Sequence, residues 1–169
     1  MNRVFAKIFL ILAVIFTPAF FIHAEETIKI LLVPGHDGKV WGAQYGNVKE
    51  ANMNYAVARR IKAVLEEDER FEVFITREGN TYTSEFSNYF TEERGAISAF
   101  RKITRESIKQ KIQSGEFVEK RTVPHNKVNE EMANVLYGIN KWANENKIDA
   151  VIHTHFNDYP RKTRWTIGK

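Results

Sequence analysis

Three short stretches of this sequence carry residue types able to hold a metal ion. They are Val33-Pro34-Gly35-His36-Asp37-Gly38, then Asn47-Val48-Lys49-Glu50, and later Ile152-His153-Thr154-His155-Phe156-Asn157-Asp158. Two imidazoles and one carboxylate make a three-ligand set suited to a catalytic Zn2+, which keeps its fourth position for water. A cation held in that way lowers the pKa of the water to about 7 and polarises a carbonyl, the chemistry of metal-assisted hydrolysis. The chain has no cysteine. That excludes a disulfide framework, a thiolate metal site, a cysteine nucleophile and a lipid-modified N-terminal cysteine, so any metal must be held by His and carboxylate.

Each of these residues also has a plainer reading. His36 in a Gly-rich turn can be a polar turn residue, and Glu50 stands three residues after Asn47, the spacing of a capping box. On a strand that continued through both, His153 and His155 would share a face. His155 lies past the apolar run, where the backbone leaves the sheet, and is the better ligand candidate, which leaves His153 as a neighbour of the site or a core residue. His125, in a polar loop before a helix, reads as solvated, and His23 belongs to the N-terminal leader described below.

A scaffold must bring the three stretches together. Ile28–Val33 is a short apolar run ended by Pro34-Gly35, which reads as a buried strand. Met53, Val57, Ile61, Val64 and Leu65 follow at helical spacing, and Phe71–Thr76 reads as a second strand, so this third of the chain is a βαβ unit. Residues 79–125 are expected to form a mostly helical insertion, with Phe86, Phe90, Ile97, Phe100, Ile103, Ile108 and Ile112 on apolar positions and an end near Gly115. A further amphipathic helix is expected over about Asn126–Asn146, through Val128, Met132, Val135, Leu136, Ile139 and Trp142, before another buried strand at Ile148–Thr154. The fold class is therefore α/β, a mostly parallel sheet flanked by helices. Histidines after the first and last strands would then sit at the carboxyl edge of the sheet, where ligands bind in open α/β folds.

At 169 residues the chain is of one-domain size, and its 43% hydrophobic and 27% charged residues exclude disordered, collagen-like and low-complexity classes. Residues 1–24 stand apart. Arg3 and Lys7 precede an apolar run from Ile8 to Ile22 and a small residue at Ala24, the pattern of a cleavable secretory signal peptide. A run this short, with Pro18 inside it, falls below the ~20 residues of a membrane span. The protein is thus expected to be exported, to the periplasm or cell exterior, with residues 25–169 as its domain and membrane contact only through the leader. Without Arg3 and Lys7, 23 Lys and Arg oppose 21 Asp and Glu, far short of a nucleic-acid footprint. The charge is uneven: residues 94–127 hold 9 bases and 3 acids, a solvated helix face or a surface that meets an anionic envelope polymer.

Taken together, the stretches resemble the zinc-dependent N-acetylmuramoyl-L-alanine amidases of the Amidase_3 type, whose pattern is a strand, a Gly-His-Gly-like turn, a Glu opening the next helix, and a later strand ending in Ser-x-His-x-Asn. The matching residues are Pro34-Gly35-His36-Asp37-Gly38, Glu50 with Asn54 and Val57, Phe71–Arg77, and His153-Thr154-His155-Phe156-Asn157. The resemblance spans residues 28–77 and about 126–158. It implies Zn2+ held by His36, Glu50 and His155, with Asn157 near the substrate and His153 behind the ligands. It also implies hydrolysis of the bond between muramic acid and L-alanine in peptidoglycan. Asp37 stands where the pattern commonly has Gly and His153 where it has Ser, and residues 78–125 are longer than the usual connection, which leaves room for a regulatory protein partner.

The family carries its general-base Glu near the carboxyl end of a longer domain, whereas this sequence has no Glu after Glu145. The C-terminal part of the domain is accordingly expected to be incomplete and the base absent. Asp37 and Asp158 are the nearest carboxylates that could substitute. Without general-base assistance, worth about 10²–10⁴-fold, only slow turnover is expected. Two other classes remain open at this point: a non-catalytic peptidoglycan-binding envelope protein, and an exported metal-dependent peptidase or deacetylase. The last strand is expected to present an unpaired edge.

Overall fold

The structure, a computed structural model, describes residues 26–119 and 128–156. The leader, His125, Asn157 and Asp158 lie outside the described residues. Ile28–Pro34 forms β1, the middle strand of a three-stranded sheet of order β4-β1-β7, with β4 at Phe71–Ile75 and β7 at Ala150–Thr154. Both neighbours run parallel to β1, which sets Leu32 beside Ile75 on one side and Ile152 on the other. Leu31 and Leu32 are fully buried, as a strand covered on both faces requires, which explains the near-continuous apolar run. Among the described residues β7 is an edge of this sheet, at the end of the strand order.

Helix α1, Glu50–Leu65, covers one face and packs Ala58, Ile61 and Leu65 against Ile30, Leu32 and Val73. Its buried stripe is not the expected one. Ala51, Asn54 and Ala58 face inward while Met53, Val57 and Val64 are exposed. Positions 51, 54, 58, 61 and 65 have the same helical spacing as the larger apolar set, and their small side chains let the helix approach the strands closely. The other face is covered by α2 (Ser84–Glu92), α3 (Arg94–Gln113) and α4 (Glu130–Glu145). There Leu31 and Val33 meet Phe86, Phe90, Ile97, Ile139 and Trp142. Gly138 is required at the α4 crossing, because a Cβ there would lie 2.9 Å from the Phe90 ring.

Helix α3 buries Ile97, but Ile103 and Ile108 are exposed, against expectation. Ile103 falls about 120° around the helix from Ile97, and Ile108, on the same side, lies about 16 Å further along. The segment expected to be mostly helical, with no strand of its own, begins in a two-stranded hairpin, β5 (Arg77–Glu78) with β6 (Thr81–Tyr82), turning on Gly79-Asn80. A second small hairpin, β2 (Gln44–Tyr45) with β3 (Val48–Lys49), precedes α1. Both turns use a glycine at φ +57°, Gly46 and Gly79. No helix among the described residues is long and apolar enough to cross a membrane.

Candidate metal centre

The chain leaves β1 towards β4 by way of α1 and returns on the opposite side of β1 as β7. The direction of strand order therefore changes between β1 and β7, and a crevice opens at their carboxyl ends. Gly35 N–H donates to Thr154 O at 2.9 Å and closes the two strand ends together. His36 follows β1 and His155 follows β7, so both imidazoles emerge at this crevice. His36 has φ +63°, a left-handed backbone that costs a non-glycine residue and is found where surrounding structure and function impose it.

Glu50 opens α1, but no capping box forms. Asn47 lies in the turn between β2 and β3, Lys49 is the N-cap, and its side chain makes no cap hydrogen bond. The first N–H groups of the helix are met instead by the preceding loop, Glu50 N–H by Ala43 O and Ala51 N–H by Trp41 O. The Glu50 side chain is thereby released to turn into the crevice. Its Oε1 lies 3.4 Å from His36 Nε2 and 3.4 Å from His155 Nδ1. The three ligand atoms all lie within 4.8 Å of one another.

The carboxylate is buried at 6% exposure. Burial pushes its pKa up, but the Ala43 and Phe156 N–H groups, the nearby His36 and the Asn54 amide together outweigh this and hold it below 4.5. Glu50 is therefore an anion at neutral pH. Two glycines leave room for the rings. A Cβ on Gly42 would lie 2.4 Å from Glu50 Oε2 and 2.5 Å from the His36 ring, and one on Gly35 would lie 2.1 Å from the His155 ring. Tetrahedral coordination with bonds of about 2.1 Å sets donors about 3.4 Å apart, the spacing of Glu50 Oε1 from each imidazole, and with all three donors within 4.8 Å the set suits a divalent cation.

Side chains whose roles the sequence did not disclose support this cluster. Asn54, fully buried, donates from Nδ2 to Gly35 O at 2.9 Å and reaches Glu50 Oε1 at 3.5 Å. Arg77, also fully buried, donates to Pro34 O, Gly35 O, Ala51 O and Gly79 O, and so ties the end of β1 to the start of α1 and to the β5–β6 turn. A buried guanidinium is tolerated only with its donors satisfied. Thr76-Arg77 was visible in the sequence, but not its four carbonyl partners. Asp37 accepts the Lys39 and Val40 N–H groups through one oxygen and shapes the turn. His153 pairs with Val33, while Thr154 bonds Asn54 O on the α1 side, so alternation directs His153 to the opposite face from the ligands. Partial burial, then the adjacent His155, lower its pKa below 6.5.

The family described as N-acetylmuramoyl-L-alanine amidase, Amidase_3, matches residues 30–166. The chain belongs to this family. The match takes in β4, β7, all of β1 but its first two residues, and each of His36, Glu50 and His155. A comparison with curated proteins finds no match. The family's activity is that of a peptidoglycan amidase, and the cluster at the β1–β7 crevice is a group among the described residues that could hold a metal ion.

Proposed function

We propose that the protein hydrolyses the amide bond between N-acetylmuramic acid and L-alanine in peptidoglycan, with Zn2+ held by His36, Glu50 and His155. The observation that carries the reading is the carboxylate oxygen 3.4 Å from both imidazoles, in a chain of the amidase family. Bound there, Zn2+ supplies a Lewis acid that activates water and polarises the scissile carbonyl. The protein's own part is positional. Ala43 and Phe156 N–H groups and Asn54 fix the Glu50 carboxylate, and Arg77 fixes the backbone carbonyls on either side of His36 and Glu50.

Beside the centre lies a polar pocket of about 240 Å³ whose lining includes Trp41, Asn47, Lys49, Asn52 and Asn80. Amide and ammonium groups in that number suit the hydroxyl and acetamido groups of an amino sugar, and Asn157 is assigned to the same substrate. Asp37, with one oxygen committed to its turn, is not proposed as the general base. Export through the N-terminal leader would deliver the protein to its polymer.

The test uses the purified full chain. Elemental analysis should give one equivalent of Zn2+, lost in both His36→Ala and His155→Ala. Incubation of the zinc-loaded protein with isolated sacculi should expose new L-alanine amino termini. Binding without new termini would replace the enzyme by a binding module, and release of acetate would make it a deacetylase.

A further inference from the structure

Helix α3 carries six basic residues, Arg94, Arg101, Lys102, Arg105, Lys109 and Lys111, and one acid, Glu106. Four of the bases, Arg101, Lys102, Arg105 and Lys109, line a groove of about 450 Å³ with Ser98 and the carboxylates of Glu106 and Glu130 at the start of α4. Arg101 is paired with Glu130 at 2.9 Å. Lys102, Arg105 and Lys109 have no ion-pair partner among the described residues, whereas Lys62, Lys111 and Lys141 elsewhere each have one. Arg101, Arg105 and Lys109 follow one another at four-residue intervals, which stacks like charges on one flank. Such pairs repel and destabilise a helix unless something neutralises them.

We propose that this groove binds a linear polyol-phosphate polymer, one phosphate to each helical turn. Cationic side chains at i and i+4 stand about 5–6 Å apart, a step that a single polyol-phosphate repeat can span. Two other polyanions fit less well. Single-stranded nucleic acid is held by aromatic platforms on which bases stack, and no lining residue is aromatic. A membrane surface is gripped by apolar side chains set among the bases; none lines the groove, and the exposed Ile103 and Ile108 of α3 lie outside its lining. The groove lies in the helical layer, across the sheet from the helix that carries Glu50, so a polymer held there would tether the protein without covering the metal centre.

The proposal is tested by fluorescence anisotropy of end-labelled poly(glycerol phosphate) with the full chain, at low and moderate salt. Arg105→Ser/Lys109→Ser should weaken binding at least about tenfold and reduce the magnitude of the log–log salt slope by about 1.4, the value for two lost phosphate contacts on a flexible strand. Arg59→Ser/Arg60→Ser, with the same change in net charge on exposed positions of α1, should stay within about twofold of the parent. Both pairs are solvent-facing, and unchanged melting of each variant verifies that the fold is intact. Equal loss in the two variants would overturn the groove in favour of net charge alone. No binding by the parent, or tighter binding to phosphatidylglycerol vesicles or to oligo(dT), would overturn the polymer.

Discussion

Around the carboxyl ends of β1 and β4 the protein buries Glu50, Asn54, Thr76 and Arg77, which are all of its buried polar or charged residues among those described. Across the sheet, the layer formed by α2, α3 and α4 buries Phe86, Phe90, Ile97, Ile139 and Trp142, and no charge. Both regions meet the same strand, yet they obey different rules. Apolar burial stabilises in proportion to area and tolerates approximate fit. A buried polar group costs stability unless each donor and acceptor is met, so its partners must be placed to within hydrogen-bond geometry. Glu50 and Arg77 meet that demand, while Asn54 Oδ1 and Thr76 Oγ1 are buried with no hydrogen-bond partner among the described residues, so the polar region around His36, Glu50 and His155 holds its bonded groups in place at a cost in stability. The difference between the two sides is a difference between holding the fold and holding the site.

The largest effect should come from Arg77→Met, which keeps volume but removes the guanidinium that donates to four carbonyls, leaving Gly35 O only the Asn54 amide. We expect a loss of about 4 kcal/mol, read from denaturant midpoints, since a buried hydrogen-bonded charge is removed from a site built around it. Arg77→Lys should recover little, because one ammonium cannot reproduce the forked geometry. Its counterpart across the sheet is Phe86→Ala, which should cost about 3 kcal/mol through the cavity left against Phe90 and Trp142. The two should part on metal affinity. Arg77→Met unties Gly35 and Ala51, next to His36 and Glu50, and should lose it; Phe86→Ala should keep it in the folded protein. If Phe86→Ala loses metal as well, the two sides are not independent.

A smaller change in stability sharpens the contrast further. Gly35 has an ordinary backbone conformation, so alanine is allowed there, but its Cβ would stand 2.1 Å from the His155 ring. That ring is at the exposed end of its side chain and can swing aside. Gly35→Ala should therefore change stability by less than about 1 kcal/mol. Loss of one imidazole from three ligands should lower metal affinity by at least about tenfold. Calorimetric titration with Zn2+ beside thermal melting reads the two separately. A variant that melts normally and binds metal normally would sink the role given to His155.

The same division governs what the sequence disclosed. Strands β1, β4 and β7 and the aromatic residues of α2 and α4 follow from apolar periodicity, because their burial is paid for residue by residue in area. The approximate helical insertion was legible for the same reason, apart from the hairpin at Gly79-Asn80, whose turn signal was outweighed by the helical pattern after it. Residue types made His36, Glu50 and His155 candidates beside plainer readings, and the resemblance to the amidase family implied them as the ligand set. What they could not reveal is how Glu50 is freed to face them. That depends on Ala43 and Trp41 carbonyls answering the helix start, and on Asn54 and Arg77, which look like surface residues in one dimension. The inward stripe of α1 escaped notice too, since alanines and an asparagine carry little hydrophobic signal and only contact with the sheet selects them over Met53 and Val57.

The smallest effect probes a polar group on the apolar side. Lys141 on α4 lies 3.3 Å from Glu93 and donates to Glu145 and to the Tyr89 hydroxyl, which links α2 to α4 at the protein surface. Lys141, then Tyr89, hold the Glu145 carboxyl below 4.5, and burial with the Glu145 bond pushes the Tyr89 phenol up to about 12. A depressed carboxylate stabilises the fold above its unfolded pKa, and that contribution disappears as pH falls through the folded value. Glu145 is about half exposed, and solvent screening limits such pairs to a small return. Glu145→Gln should cost about 0.5 kcal/mol at neutral pH. The gap to the parent should close at acid pH, once Glu145 is protonated in the folded chain as well. Paired urea titrations at the two pH values check this. A cost of several kcal/mol at neutral pH would mean that a surface ion pair orders the helical layer as strictly as Arg77 orders the site, and the contrast between the two sides would fail.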